Sequence, residues 1–90
     1  MANQDYSDLK EKLEANTEWP RVYLFKFIVP SDNKKLALVE ALFGAEAEVS
    51  LKQSSKGNYV SVSAKELMLN SDGIINRYKR ASKIEGLMAL

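Results

Sequence analysis

Residues 46–53 and 59–67 each alternate between apolar and polar side chains, and the five residues between them, Ser54-Ser55-Lys56-Gly57-Asn58, are turn formers. A period of two places successive side chains on opposite faces of a strand. Ala47, Val49 and Leu51 then face inward in the first stretch, and Val60, Val62 and Ala64 in the second. Glu46, Glu48, Ser50 and Lys52 face outward, as do Tyr59, Ser61, Ser63 and Lys65. Two half-buried strands joined by such a loop form an antiparallel hairpin. A lone hairpin is marginal in water, so the rest of the chain must cover its apolar face.

The remaining segments supply that cover. Residues 21–29 are rich in aromatic and β-branched side chains and read as a central strand. One face carries Tyr23, Phe25, Phe27 and Val29, and the other Val22, Leu24, Lys26 and Ile28. Pro30-Ser31-Asp32-Asn33 is a turn and cap cluster. A helix over residues 34–43 follows, with Leu36, Val39, Leu42 and Phe43 inward and Gly44 placed to stop it. Ser71 is expected to cap a second helix, with Ile74, Ile75, Tyr78, Ala81 and Ile84 inward. Residues 85–90 read as a final strand. Before all of these, Ser7 is expected to cap a short helix reaching Ala15, which carries Leu9 and Leu13 on one side, and the first few residues are expected to be loose.

The order is therefore an additional N-terminal helix followed by β-α-β-β-α-β. This is an α+β, ferredoxin-like sandwich, with the first and third strands at the centre of the sheet and two helices on one face. Residues 1–18 form the tail and helix, and residues 19–90 the ferredoxin-like domain. Ninety residues support one core and no more.

Composition excludes several kinds of chemistry. The chain has no cysteine and no histidine, which removes disulfides, thiolate zinc sites, cysteine nucleophiles and the commonest general base. Thirteen basic and twelve acidic residues leave a net charge of +1, which gives no global attraction to nucleic acid or to anionic membrane. No apolar run approaches the ~20 residues needed to span a bilayer. The polar start lacks a signal-peptide pattern, and a cytoplasmic location is expected. No spacing of Asp, Glu, Lys, Ser or Tyr sets up a triad, a carboxylate pair or a metal cluster. No enzyme activity, cofactor or metal is expected.

Several features between Trp19 and Leu90 resemble the YbeD-like family of small, uncharacterised bacterial proteins. They are Trp19-Pro20, Phe25-Lys26-Phe27-Ile28, the block from Ser54 to Tyr59 with Ser61-Val62-Ser63, Tyr78, Lys83-Ile84 and the tail Met88-Ala89-Leu90. The tail departs from the family at Leu87, where a basic residue is common. The resemblance implies a ferredoxin-like fold similar to ACT domains, which bind amino acids at dimer interfaces. It therefore implies a regulatory, ligand-binding homodimer.

Two sets of residues are candidates for function. The first is Lys26 with Tyr59, Ser61 and Ser63 on the outward sheet face, together with Ser54, Ser55, Lys56, Gly57 and Asn58. A lysine amid Val22, Leu24 and Ile28 must reach water, pair with a carboxylate or meet a ligand. A small anionic metabolite or amino acid fits the hydroxyls and ammonium. The competing reading is that the acidic N-terminal helix covers this face, with Glu11, Glu14 or Glu18 on the lysine. The loop has two readings as well: an anion nest, or a turn in which Gly57 or Asn58 takes positive φ and the serines bond local backbone. The second set is Arg77, Lys79, Arg80 and Lys83 on the last helix, a basic surface for an acidic partner if the chain is instead an interaction adaptor, which would dock without a small ligand through its N-terminal helix, this last helix or a sheet edge. Nucleic acid is not expected, because Ser61 and Ser63 stand at outward positions where base-stacking aromatics are needed and only Tyr59 is aromatic.

Overall fold

The structure is a computed structural model that describes residues 6–15 and 18–90. The expectation of a loose N-terminus lies outside the described residues. Seven elements follow in chain order: α1 Ser7–Ala15, β1 Arg21–Pro30, α2 Asn33–Glu40, β2 Glu48–Gln53, β3 Tyr59–Met68, α3 Ser71–Ala81 and β4 Met88–Ala89. The four strands form one antiparallel sheet in the order β2-β3-β1-β4. The ferredoxin-like expectation holds, with β1 and β3 at the centre.

The alternation of β1 and β3 builds the core. Phe25, Phe27 and Val29 are buried on β1, and Val60, Val62 and Ala64 on β3. The register sets Phe27 opposite Val62 and Phe25 opposite Ala64, so both sets share one face. Val39 and Leu42 come from the α2 segment, and Ile74, Ile75 and Ala81 from α3. An aromatic cluster fills the middle, with Phe25 4.8 Å from Tyr23, 5.7 Å from Phe43 and 5.6 Å from Tyr78, ring centre to ring centre.

The helix ends differ from expectation for local reasons. Asn70, not Ser71, caps α3; its side-chain oxygen accepts the Gly73 N–H at 2.8 Å. Ser71 is buried instead and donates to the Glu14 carboxylate. α2 stops at Glu40 rather than Phe43. The chain tightens there into i→i−3 bonds, from Leu42 N–H to Val39 and from Phe43 N–H to Glu40, which turn both side chains onto the core. Gly44 is therefore not the helix stop. Its N–H donates to Glu66 Oε1 at 3.3 Å, and a Cβ there would lie 2.9 Å from Glu66 Oε2.

The sheet edges also depart from expectation. β2 begins at Glu48, and Val49 and Leu51 are exposed although they lie opposite Ala64 and Val62 on the core face. Their face is as the alternation predicts, but α2 packs on β1 and α3 on β3, so the edge strand is left without cover. The final strand spans two residues instead of six. Leu87 N–H bonds back to Ile84, and Gly86 turns with a φ of 83°, so pairing with β1 starts only at Met88. A Cβ on Gly86 would also lie 2.8 Å from Pro30 Cγ, and that ring cannot swing aside. Gly86→Ala is expected to cost about 2 kcal/mol, read as a fall of about 10 °C in Tm.

Candidate functional site

α1 lies against α3, not on the outward face of the sheet. Lys10 pairs with Asp72 at 3.1 Å, Glu14 accepts from Ser71, and the Lys79 ammonium sits 5.8 Å from the centre of the Tyr6 ring. The reading in which this helix covers the sheet and neutralises Lys26 is thereby overturned. The outward face is open, with Val22 57% exposed and Leu24 45%.

Register places the side chains of that face in rows. Lys26, Ser63 and Ser50 form one row across β1, β3 and β2, and Ile28, Ser61 and Lys52 form the next. On one side follow Leu24, Lys65 and Glu48; on the other, Pro30 lies opposite Tyr59. Ser50, Ser61 and Ser63 are short, while the residues around them are long. The result is a trough of about 330 Å³ lined by Lys26, Ser50, Lys52, Ser61, Ser63 and Leu90. A second depression of about 270 Å³ shares Ser50 and Ser63 and extends towards Leu24 and Lys65. Leu90 is held at the rim because its N–H donates to the Lys26 carbonyl at 2.9 Å.

Of the residues expected from sequence, the trough unites Lys26, Ser61 and Ser63. Tyr59 is exposed on the same face, one row beyond Ser61. The loop from Ser54 to Asn58 stands at the hairpin end and does not line the trough. Gly57 N–H donates to the Ser54 carbonyl at 2.9 Å and Tyr59 N–H to Ser54 Oγ at 3.1 Å, while the Asn58 carbonyl accepts the Ser31 N–H at 2.9 Å. Gly57 takes the positive φ, at 74°. The bonds to Ser54 are those of a turn. Ser55, Lys56 and Asn58 are exposed. Ser50, Lys52 and Leu90 were not singled out from sequence. The first two follow from counting the hairpin register outwards from its loop; Leu90 needs the pairing of β4 with β1.

The basic residues of α3 do not form one row. The Arg77 guanidinium binds Glu66 through both nitrogens, at 2.6 and 3.4 Å, and lies over the rings of Phe25 and Phe43. That bond holds the Glu66 carboxyl below its ordinary range. Lys79 is drawn towards Tyr6, and Arg80 and Lys83 are exposed. Tyr78 hydrogen-bonds Tyr23 at 2.9 Å; burial and that bond hold its phenol well above the ordinary range. The Arg77–Glu66 and Tyr78–Tyr23 pairs bind α3 to the sheet. No helix among the described residues is long and apolar enough to cross a membrane, and none of their His, Cys, Asp and Glu side chains group in threes or more to hold a metal ion.

A family model described as a protein of unknown function, DUF493, matches residues 14–90. No curated protein and no solved structure matches the chain. The matched span begins within α1 and takes in the whole sheet, α2, α3 and every residue of the trough. The chain belongs to the DUF493 family.

Proposed function

We propose that this chain is a non-catalytic regulatory domain that binds a small anionic ligand on its open sheet face. The observation that carries the reading is the trough, where Lys26 and Lys52 flank three serine hydroxyls on a face that no helix covers. The chemistry suits an anion, since ammonium and hydroxyl groups donate to negatively charged oxygens and, among the described residues, no side-chain carboxylate lines the trough. The likeness to ACT domains supports a regulatory role and a homodimer. Exposed Val22, Leu24 and Leu67 on the same face offer apolar surface for the second copy.

Thermal unfolding against anionic amino acids and other small anions tests this. A ligand at ~100 times its Kd is expected to add about 2.7 kcal/mol, a shift of several degrees, and the double variant Lys26→Ala/Lys52→Ala to abolish it. A flat screen with working controls would overturn the proposal and favour an adaptor that docks through Arg80 and Lys83.

A further inference from the structure

The trough holds its cations in an arrangement that specifies more than negative charge. Lys26 and Lys52 stand two strands apart and one two-residue step out of line. Strand spacing of about 4.8 Å and a step of about 7 Å put their Cα atoms about 12 Å apart. Each lysine reaches about 6 Å, so the two ammonium groups can meet over Ser61 and Ser63. Lys65, the third lysine of the face, lies directly opposite Glu48 and so stands in a row of no net charge. Among the described residues, the side chains of Lys26, Lys52, Ser50, Ser61 and Ser63 have no hydrogen-bond or ion-pair partner. Five donor side chains thus surround one concavity, with two positive side-chain charges and, among the described residues, no side-chain carboxylate.

Resting on the anion-binding reading above, we infer that the trough takes a small soluble phosphate monoester, held between Lys26 and Lys52 with the serine hydroxyls beneath it. A phosphate monoester carries about −1.5 to −2 charges near neutral pH and three terminal oxygens that accept hydrogen bonds. It matches two ammonium groups and several hydroxyls at once. A carboxylate offers one charge and two oxygens and would leave one lysine unmatched. A volume of about 330 Å³ lies at the small end of ligand sites, which suits a metabolite of a few carbons.

The test is isothermal titration of the whole chain with glycerol 3-phosphate, succinate and acetate, together with co-sedimentation with phosphatidylcholine vesicles containing phosphatidic acid. Glycerol 3-phosphate is expected to bind about tenfold more tightly than acetate and more tightly than succinate, and to weaken with salt. Lys26→Gln and Lys52→Gln are each expected to weaken it about tenfold, and Lys26→Arg to retain it. Lys65→Gln is the control and leaves it unchanged. All three positions are exposed strand lysines, and circular dichroism verifies that each variant is folded. If glycerol 3-phosphate binds no better than acetate or succinate, or Lys52→Gln has no effect, the phosphate inference is overturned while the anion reading stands. If no probe binds, both fall. Sedimentation with the vesicles without titration by glycerol 3-phosphate would overturn the soluble ligand in favour of a lipid headgroup.

Discussion

Replacing Phe25 with alanine is expected to cost about 3–5 kcal/mol and to lower the urea midpoint by a large part of its parent value. A chain of this size has about 5–13 kcal/mol of stability in all, so one such loss is a large share. Phe25 is fully buried at the middle of the central strand β1. Its ring meets Tyr23, Phe27, Phe43 and Tyr78, and the Arg77 guanidinium lies 5.4 Å from its centre. The cavity left by alanine opens towards α3 and towards the turn that carries Phe43, so both would lose their packing. Urea unfolding followed by circular dichroism gives the number, with Phe25→Leu as an intermediate that keeps much of the volume. A loss under about 1 kcal/mol would mean that the neighbouring rings collapse into the space, and that the core does not depend on the cluster.

The parts legible in sequence are those set by local geometry. Alternation along β1 and β3 assigns every residue to a face, because the pleat leaves a side chain no third choice. Spacing on α3 identifies Ile74, Ile75 and Ala81 as inward for the same reason. What such patterns do not carry is the extent of cover. Val49 and Leu51 alternate as cleanly as Val60 and Val62, yet they lie on an edge strand and are exposed. Asn70 and Ser71 are both good caps side by side. The choice falls to Asn70 because Glu14, far off in sequence, claims the Ser71 hydroxyl. Gly44 reads as a helix stop, but in the fold its N–H donates to Glu66 Oε1 and its Cα faces that carboxylate.

The candidate site divides in the same way. Lys26, Ser61 and Ser63 are singled out by a lysine on an apolar face and by the outward positions of one strand. Their neighbours Ser50 and Lys52 follow from the register of a single hairpin, a local relation. Leu90 is a long-range neighbour, brought to Lys26 only after α3 has returned the chain across the sheet. Arg77 shows the opposite error. Read as one of four surface cations, it is instead the residue that ties α3 to the sheet, since its partner Glu66 lies on a strand eleven residues earlier.

Arg77→Met is accordingly expected to cost about 2–4 kcal/mol near neutral pH, although it exchanges one long side chain for another. The side chains of Arg77 and Glu66 are 13% and 16% exposed, so the carboxylate left behind has little water to replace its partner. It keeps only the Gly44 N–H, at 3.3 Å. The pH dependence separates this cause from lost packing on Phe25 and Phe43. Arg77 holds the folded Glu66 below its ordinary pKa, so as pH falls the unfolded chain takes up the proton first. The pair's contribution is therefore complete above about pH 5, past the ordinary glutamate value, and is lost as pH falls through the depressed folded value. The Arg77→Met variant lacks this contribution throughout. Its deficit against the parent chain should be largest at neutral pH and shrink through the acid range. Adding Glu66→Gln to Arg77→Met removes the stranded charge and should recover part of the loss. Urea unfolding of the three chains across pH measures both effects. A deficit that stays the same at every pH, with no recovery from Glu66→Gln, would assign Arg77 to ring packing alone. A deficit that shrinks in acid would establish that an ion pair between α3 and β3, rather than a docking surface, is what this arginine provides.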